Sequence, residues 1–223
     1  MENIIFPLIF MLVCFTYAVR TEDEFYKRTF SIPLRLFDGK TTYYCISQPI
    51  AADQYMFEFK PIVERDLIKH MSFSLCDEPY STEPIWDCID SKRVCKGPRD
   101  SLYAWTNYAP GLKLPKNSGI HTGHKRRYLV FQMHGPPQGV KEGDINKWAT
   151  MVVKFRSSRP RYHAATGAFG NTGNIPPHVK HFKTDSACMW NITGRVPILS
   201  YALHSHLLGR TASAYIIRNG TVD

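Results

Sequence analysis

The sequence predicts an all-β protein built as two β-sandwich modules, the second of them incomplete. Three observations carry this expectation. Short segments rich in aromatic and β-branched residues are punctuated by Pro or Gly about every dozen residues, no stretch sustains a 3.6-residue apolar period, and a basic, Ser- and Pro-containing stretch at 156–161 divides the segments into two groups. The 223 residues are 43% hydrophobic and 21% charged, which excludes a disordered tail, a coiled coil and a multi-span membrane protein. That length suits one large β domain or two ordinary modules, each with its own core. Lys and Arg number 28 against 19 Asp and Glu, so the net charge of +9 attracts anionic surfaces without naming a partner.

Residues 1–18 are expected to be a signal peptide. The apolar run at 4–19 is broken only by Pro7 and Thr16 and is shorter than the ~20 residues of a membrane-spanning helix. Thr16 and Ala18 have the spacing of a cleavage site, and the chain turns polar from Arg20. Glu2 stands where Lys or Arg is usual, which leaves an uncleaved anchor as the alternative. The expected destination is secretion or the secretory-pathway lumen, with no stable membrane insertion.

The N-terminal module, 19–157, contains the strand segments 41–46, 55–59, 128–134 and 149–155. The C-terminal module, 158–223, contains 213–217, followed by Asn219-Gly220, a two-residue hairpin signal with only Thr221, Val222 and Asp223 after it. So few strands would leave edges and an apolar face uncovered, and further downstream sequence is expected.

Loss of the signal peptide removes Cys14 and leaves Cys45, Cys76, Cys88, Cys95 and Cys188, an odd number for an oxidising compartment. The compact group of four is expected to form two bridges, and spacing alone allows three pairings; Cys188 is left over. The sequons at Asn191 and Asn219 are glycosylation candidates.

Histidines are the candidate chemistry. In an extended strand, His204 and His206 fall on one face, roughly 7 Å apart along the chain, where one metal ion can bridge them. Imidazole suits copper and zinc, and such a pair needs at least one further ligand; two polar residues on the wet face of an edge strand is the other reading. His134, at the end of a strand before Gly135-Pro136-Pro137, and His70, inside the segment 67–76, could each project into an inter-strand site or be hydrogen-bonded structural residues. His121, His124, His178 and His181 read as solvated loop residues. The basic stretches 125–127 and 156–161 would suit a glycan or nucleic acid by charge alone, which solvated loops explain equally well, so no nucleic-acid partner is expected.

Phe59-Lys60-Pro61, His70-Met71 with Cys76, the run Leu102-Tyr103-Ala104-Trp105 with Asn107, Ala109-Pro110, Leu114-Pro115-Lys116 and Gly119, then His134, then His204-Ser205-His206 with Leu208-Gly209, stand in an order that resembles the peptidylglycine α-hydroxylating monooxygenases, copper type II, ascorbate-dependent enzymes. The resemblance runs from about Tyr44 to Gly220. It implies two jelly-roll-like β-sandwiches, each carrying one copper, with ascorbate as reductant and molecular oxygen hydroxylating the α-carbon of a C-terminal glycine in a glycine-extended peptide. It also implies His70 and His134 as ligands of a first copper and His204 and His206 as ligands of a second. The pairings it implies are Cys45–Cys88 and Cys76–Cys95.

Three departures bear on that activity. A third histidine of the first site corresponds to Lys69, and a lysine ammonium must lose a proton before it can ligate. Lys69 is expected instead to share the side of Leu67, Met71 and Phe73 and to snorkel. The methionine that the family adds to the second site is not reached, and an arginine that would pair with the peptide carboxylate corresponds to Ala202. Two functions follow as expectations: a peptide hydroxylase impaired in this chain, or a secreted, catalytically silent paralogue that binds copper weakly or a peptide.

Overall fold

A computed structural model describes residues 25–40, 42–63, 67–89, 92–106, 109–123, 126–136, 138–168, 170–171, 173–189, 194, 196–203 and 208–222. The expected signal peptide, Asn191, His204 and His206 lie outside the described residues. The order of elements is β1 (Phe25–Pro33), a 3-10 turn (Leu34–Leu36), β2 (Tyr43–Pro49), β3 (Tyr55–Ile62), β4 (His70–Cys76), β5 (Trp86–Asp87), β6 (Arg99–Thr106), β7 (Leu112–Lys113), β8 (Ser118–His121), β9 (Tyr128–His134), a 3-10 turn (Glu142–Asp144), β10 (Trp148–Arg156), β11 (Tyr162–Ala164), β12 (Ile217–Arg218) and β13 (Thr221–Val222).

Ten of these strands build the two larger sheets through neighbours in the orders β1-β10-β3-β8-β11 and β5-β2-β9-β4-β6, and β7 pairs with β3 at the first sheet. β10 shows why its sheet has one wet face. Ala149, Met151, Val153 and Phe155 are buried while the residues between them are not, the period-2 alternation of a half-covered strand. The buried side meets the second sheet through aromatic rings: Phe30 of β1 lies 4.9 Å from Phe73 of β4, edge to face, and Phe73 lies 5.0 Å from Phe131 of β9. All three are fully buried in one core with Phe59, Met71, Leu129, Met133 and Met151.

β9 is buried at every interior position because both of its faces are covered. Leu129, Phe131 and Met133 point into the inter-sheet core, whereas Val130 joins a second cluster with Cys45, Cys76, Trp86, Cys88 and Val94. That second cluster is the lining of the loops between β4 and β6, pinned by Cys45–Cys88 and Cys76–Cys95 with Cα separations of 5.8 and 5.6 Å. Of the three pairings that spacing allowed, this is the one the family resemblance implied. Cys188 is exposed and has no disulfide partner among the described residues. At the other end of β9, Arg126 donates to Asp100 at 2.9 Å and Asp77 at 2.7 Å, and these hydrogen bonds, Asp100 foremost, raise its already high pKa.

The segments 55–59, 128–134 and 149–155 fall on strands, and β2 takes up 43–46 of the segment 41–46, whose first residue lies outside the described residues; β1 and β6 are among the strands that the sequence reading did not single out. Tyr162–Ala164 pairs in parallel with Ser118–Ile120, so these residues extend the first sheet. Beyond them, the described residues form no regular element before the hairpin β12–β13, and they are exposed. In the expected strand 213–217 only Ile217 is extended in a ladder, because among the described residues no neighbouring strand supplies partners for the rest. The turn is the one its residues dictate: Asn219 at φ 50° and Gly220 at φ 78° both take the left-handed conformation of a type I′ hairpin.

Candidate metal centre

The centre forms on the face of the second sheet opposite the inter-sheet core. In β4 Met71, Phe73 and Leu75 belong to the core, so His70 and Ser72 alternate to the other side; in β9 the same alternation puts Gln132 and His134 there. Antiparallel register then sets Tyr43 opposite His134, His134 opposite His70, and His70 opposite Thr106, a single row across four strands. Two residues along the strands, the next row is Cys45, Gln132, Ser72 and Ala104. Thus two histidines that are 64 positions apart in the chain become cross-strand neighbours.

Their geometry suits a shared ion. Nδ1 of His70 and Nδ1 of His134 are 3.3 Å apart, with ring centroids at 4.7 Å and planes inclined by 67°. Two nitrogens, each ~2.0 Å from one ion and at a tetrahedral angle, stand about 3.3 Å apart. The same separation lets one imidazole donate an N–H to the other, so the pair has a satisfied arrangement with or without an ion. Both rings are half-buried, which leaves the site reachable from solvent.

Neighbouring groups fix the rings. Tyr43 stacks on His134 with centroids 4.0 Å apart and planes within 11°, and its ring lies 5.8 Å from that of His70. The Lys69 N–H donates to the His134 carbonyl at 2.9 Å, holding the strand entrance against β9. Gln132, almost fully buried, donates through Nε2 to the Cys88 carbonyl at 3.4 Å and accepts from the Ser72 hydroxyl at 3.3 Å. The disulfide-pinned loop is therefore tied by hydrogen bonds to the row beside the histidines. Tyr43 and Gln132 were missed from sequence: Tyr43 lies in an expected strand, but only cross-strand register reveals what it faces.

Of the other sequence candidates, Lys69 lies in the bend before β4 and is exposed, not packed along Leu67, Met71 and Phe73 as alternation would place it, because the strand begins one residue later. Ala202 is exposed, and Asn219 is exposed at the hairpin turn. His121 differs from the solvated-loop expectation: it ends β8, stacks on Tyr55 with centroids 4.9 Å apart and contacts Asp53 Oδ1 through Nε2 at 2.9 Å. His178 and His181 are exposed. Among the described residues, no three His, Cys, Asp or Glu side chains gather in a metal-holding group.

The paired imidazoles thus lie on a disulfide-braced face of a β-sandwich, and the chain belongs to the copper type II ascorbate-dependent monooxygenase family. Residues 28–136 match the family's N-terminal domain and 164–223 its C-terminal domain. Among similar proteins, peptidylglycine alpha-amidating monooxygenase of Rattus norvegicus is 29% identical over 184 residues, and peptidyl-glycine alpha-amidating monooxygenase A of Xenopus laevis is 30% identical over 184. Each comparison covers 80% of this chain but 18% and 19% of those proteins, so the chain spans about a fifth of the length of the curated relatives it matches.

Proposed function

We propose that this protein is a copper- and ascorbate-dependent monooxygenase acting on the α-carbon of a C-terminal glycine in peptides, with an activity weakened in this chain. The 3.3 Å approach of the His70 and His134 Nδ1 atoms is the observation that carries the reading, since it matches the spacing of two donors on one ion. His70 and His134 would hold the first copper, and His204 and His206 the second. Bound copper would pass electrons from ascorbate to molecular oxygen: two electrons and two protons reduce one oxygen atom to water while the other enters the glycine C–H bond as a hydroxyl. The chain's own residues orient the site: Tyr43 by stacking on His134, and Gln132 by tying the row to the disulfide loop.

The weakening rests on chain-specific residues. Lys69 offers an ammonium where the resemblance expects an imidazole, and Ala202 offers no donor for a peptide carboxylate. These substitutions also favour a second reading, a catalytically silent paralogue that binds copper weakly or a peptide. Secretion, with cleavage after residue 18 and glycans at Asn191 or Asn219, accords with two disulfides, which persist in oxidising compartments. No described helix is long and apolar enough to cross a membrane.

The test is copper stoichiometry on the secreted chain together with ascorbate-dependent hydroxylation of a glycine-extended peptide. Bound copper with slow but measurable hydroxylation supports the weakened enzyme. Copper without turnover supports the silent paralogue, and a chain that binds no copper after reconstitution refutes both readings of the centre.

A further inference from the structure

We infer that the wet face of the first sheet carries a docking groove for an acidic peptide segment that bears an apolar side chain between its carboxylates. The inference is independent of the copper reading, because the inter-sheet core separates this face from His70 and His134. In β10, Val153 and Phe155 belong to the core, so Lys154 and Arg156 alternate to the outer face. Register then lines up Lys27, Lys154, Glu58 and Lys113 as one row across β1, β10, β3 and β7. Phe25, Arg156 and Tyr55 stand in the next row. Between the rows β3 is bulged: Glu58 faces Lys154 and Met56 faces Phe155, which leaves Phe57 as the extra residue. Its ring meets that of Phe25 edge to face at 6.3 Å, and the Arg156 guanidinium lies 4.4 Å from its centroid. Phe25, Phe57, Glu58, Lys113, Lys154 and Arg156 line an open cavity of about 210 Å³. Lys154 lies 5.7 Å from the Phe25 centroid and 3.0 Å from a Glu58 oxygen. Phe25 is 61% exposed, and Lys27 and Lys113 are exposed at the two ends of their row.

Charge and apolar surface together select the partner. Three cations against one carboxylate in the lining draw anions, and the two rings offer an apolar side chain a surface to cover. Glu58 stands inside the cationic row, so a uniformly charged polyanion, whether a sulfated glycan or an anionic membrane, meets like charge there and leaves the rings uncovered. An extended peptide sends alternate side chains to one face about 7 Å apart, which lets carboxylates two residues to either side of an apolar residue reach the cations while that residue covers Phe25.

The experiment titrates the full chain into a dye-labelled Glu-Ser-Phe-Ser-Glu peptide with both ends blocked and follows fluorescence anisotropy; the probe has no terminal glycine, so the proposed hydroxylase site does not read it. Saturable binding that weakens with added salt is the expected result. Lys113→Glu should weaken it by about tenfold, since an exposed charge is reversed. Phe25→Ala should weaken it by about fivefold through lost apolar cover, and Glu58→Gln should tighten it by about threefold. Circular dichroism checks that each variant folds, and Lys113→Glu, at an exposed position, keeps the test decisive if Phe25→Ala does not. Glu-Ser-Ser-Ser-Glu and Gln-Ser-Phe-Ser-Gln should each bind more weakly than the probe. Absence of saturable binding, or binding that Lys113→Glu leaves unchanged, overturns the inference. So does tighter binding of heparin fragments or phosphatidylserine vesicles than of the peptide, which would assign the face to a polyanion. Glu22, Asp23 and Glu24 precede Phe25 in the chain; binding seen only after Glu22→Gln, Asp23→Asn and Glu24→Gln would assign the groove to the chain's own segment and overturn the inference likewise. Each of these outcomes leaves the copper reading standing.

Discussion

Replacing Cys45 and Cys88 together by alanine removes a cross-link between residues 43 positions apart, and the consequence for stability can be worked from the loop it closes. Loop-closure entropy for a ring of that size amounts to about 4 kcal/mol at 25 °C, lost because the reduced chain explores more unfolded conformations. The Cys76–Cys95 loop, with a separation of 19, gives about 3.3 kcal/mol by the same relation. Both sulfurs of the first bridge are fully buried beside Val130, so a small cavity cost adds to its side of the comparison. Urea unfolding followed by circular dichroism should therefore show the larger fall in midpoint for Cys45→Ala/Cys88→Ala. Gln132 loses its contact with the Cys88 sulfur but keeps its hydrogen bond to the Cys88 main-chain carbonyl, so the folded variant should still load copper at His70 and His134. A loss below ~1 kcal/mol at an unchanged denaturant slope would refute the idea that this bridge braces the loop over β9.

Phe131→Ala should cost about 3–5 kcal/mol, read from the same unfolding curves, because a fully buried ring packed on Phe30 and Phe73 leaves a cavity between rigid sheets. Gly135→Ala places a Cβ well inside contact distance of the buried Phe37 ring, directly after His134, and should destabilise by roughly 1–3 kcal/mol while lowering copper affinity at the first site. Tyr43→Ala should weaken copper binding there by about tenfold, through loss of the stack that orients His134, whereas His134→Ala should abolish it; competition titration with a chelator reads both. Burial raises the Tyr103 pKa from 10.0 to about 12, so the folded state keeps its proton where the unfolded state has lost it. Its contribution to stability is full below pH 10 and lost as the pH rises towards 12; Tyr103→Phe should remove a late phenol from the ultraviolet titration.

Much of the first sandwich was legible in the chain because strand formation leaves a local mark. The alternation in 149–155, the aromatic segments 55–59 and 128–134, and Asn219-Gly220 each announce a backbone conformation from adjacent residues alone. β1 was less legible: its buried end, Phe30 and Ile32, is preceded by Lys27 and Arg28, and only pairing with β10 along all nine residues makes it a strand. Taken by themselves, His70 and His134 each read equally well as a structural histidine, and only the family resemblance joined them as a pair.

What the sequence determined by itself was the kind of strands, the supply of cysteines and the presence of imidazoles in extended segments, since side-chain period and residue chemistry are properties of neighbours in the chain. Only the tertiary structure decided that His70 and His134 approach to 3.3 Å, that Tyr43 covers one of them, and that Lys69 stays at the surface. Those facts depend on the register between strands distant in sequence. A shift of one residue would turn every side chain of a strand to the opposite face, and that register is held by a core assembled from the whole sandwich.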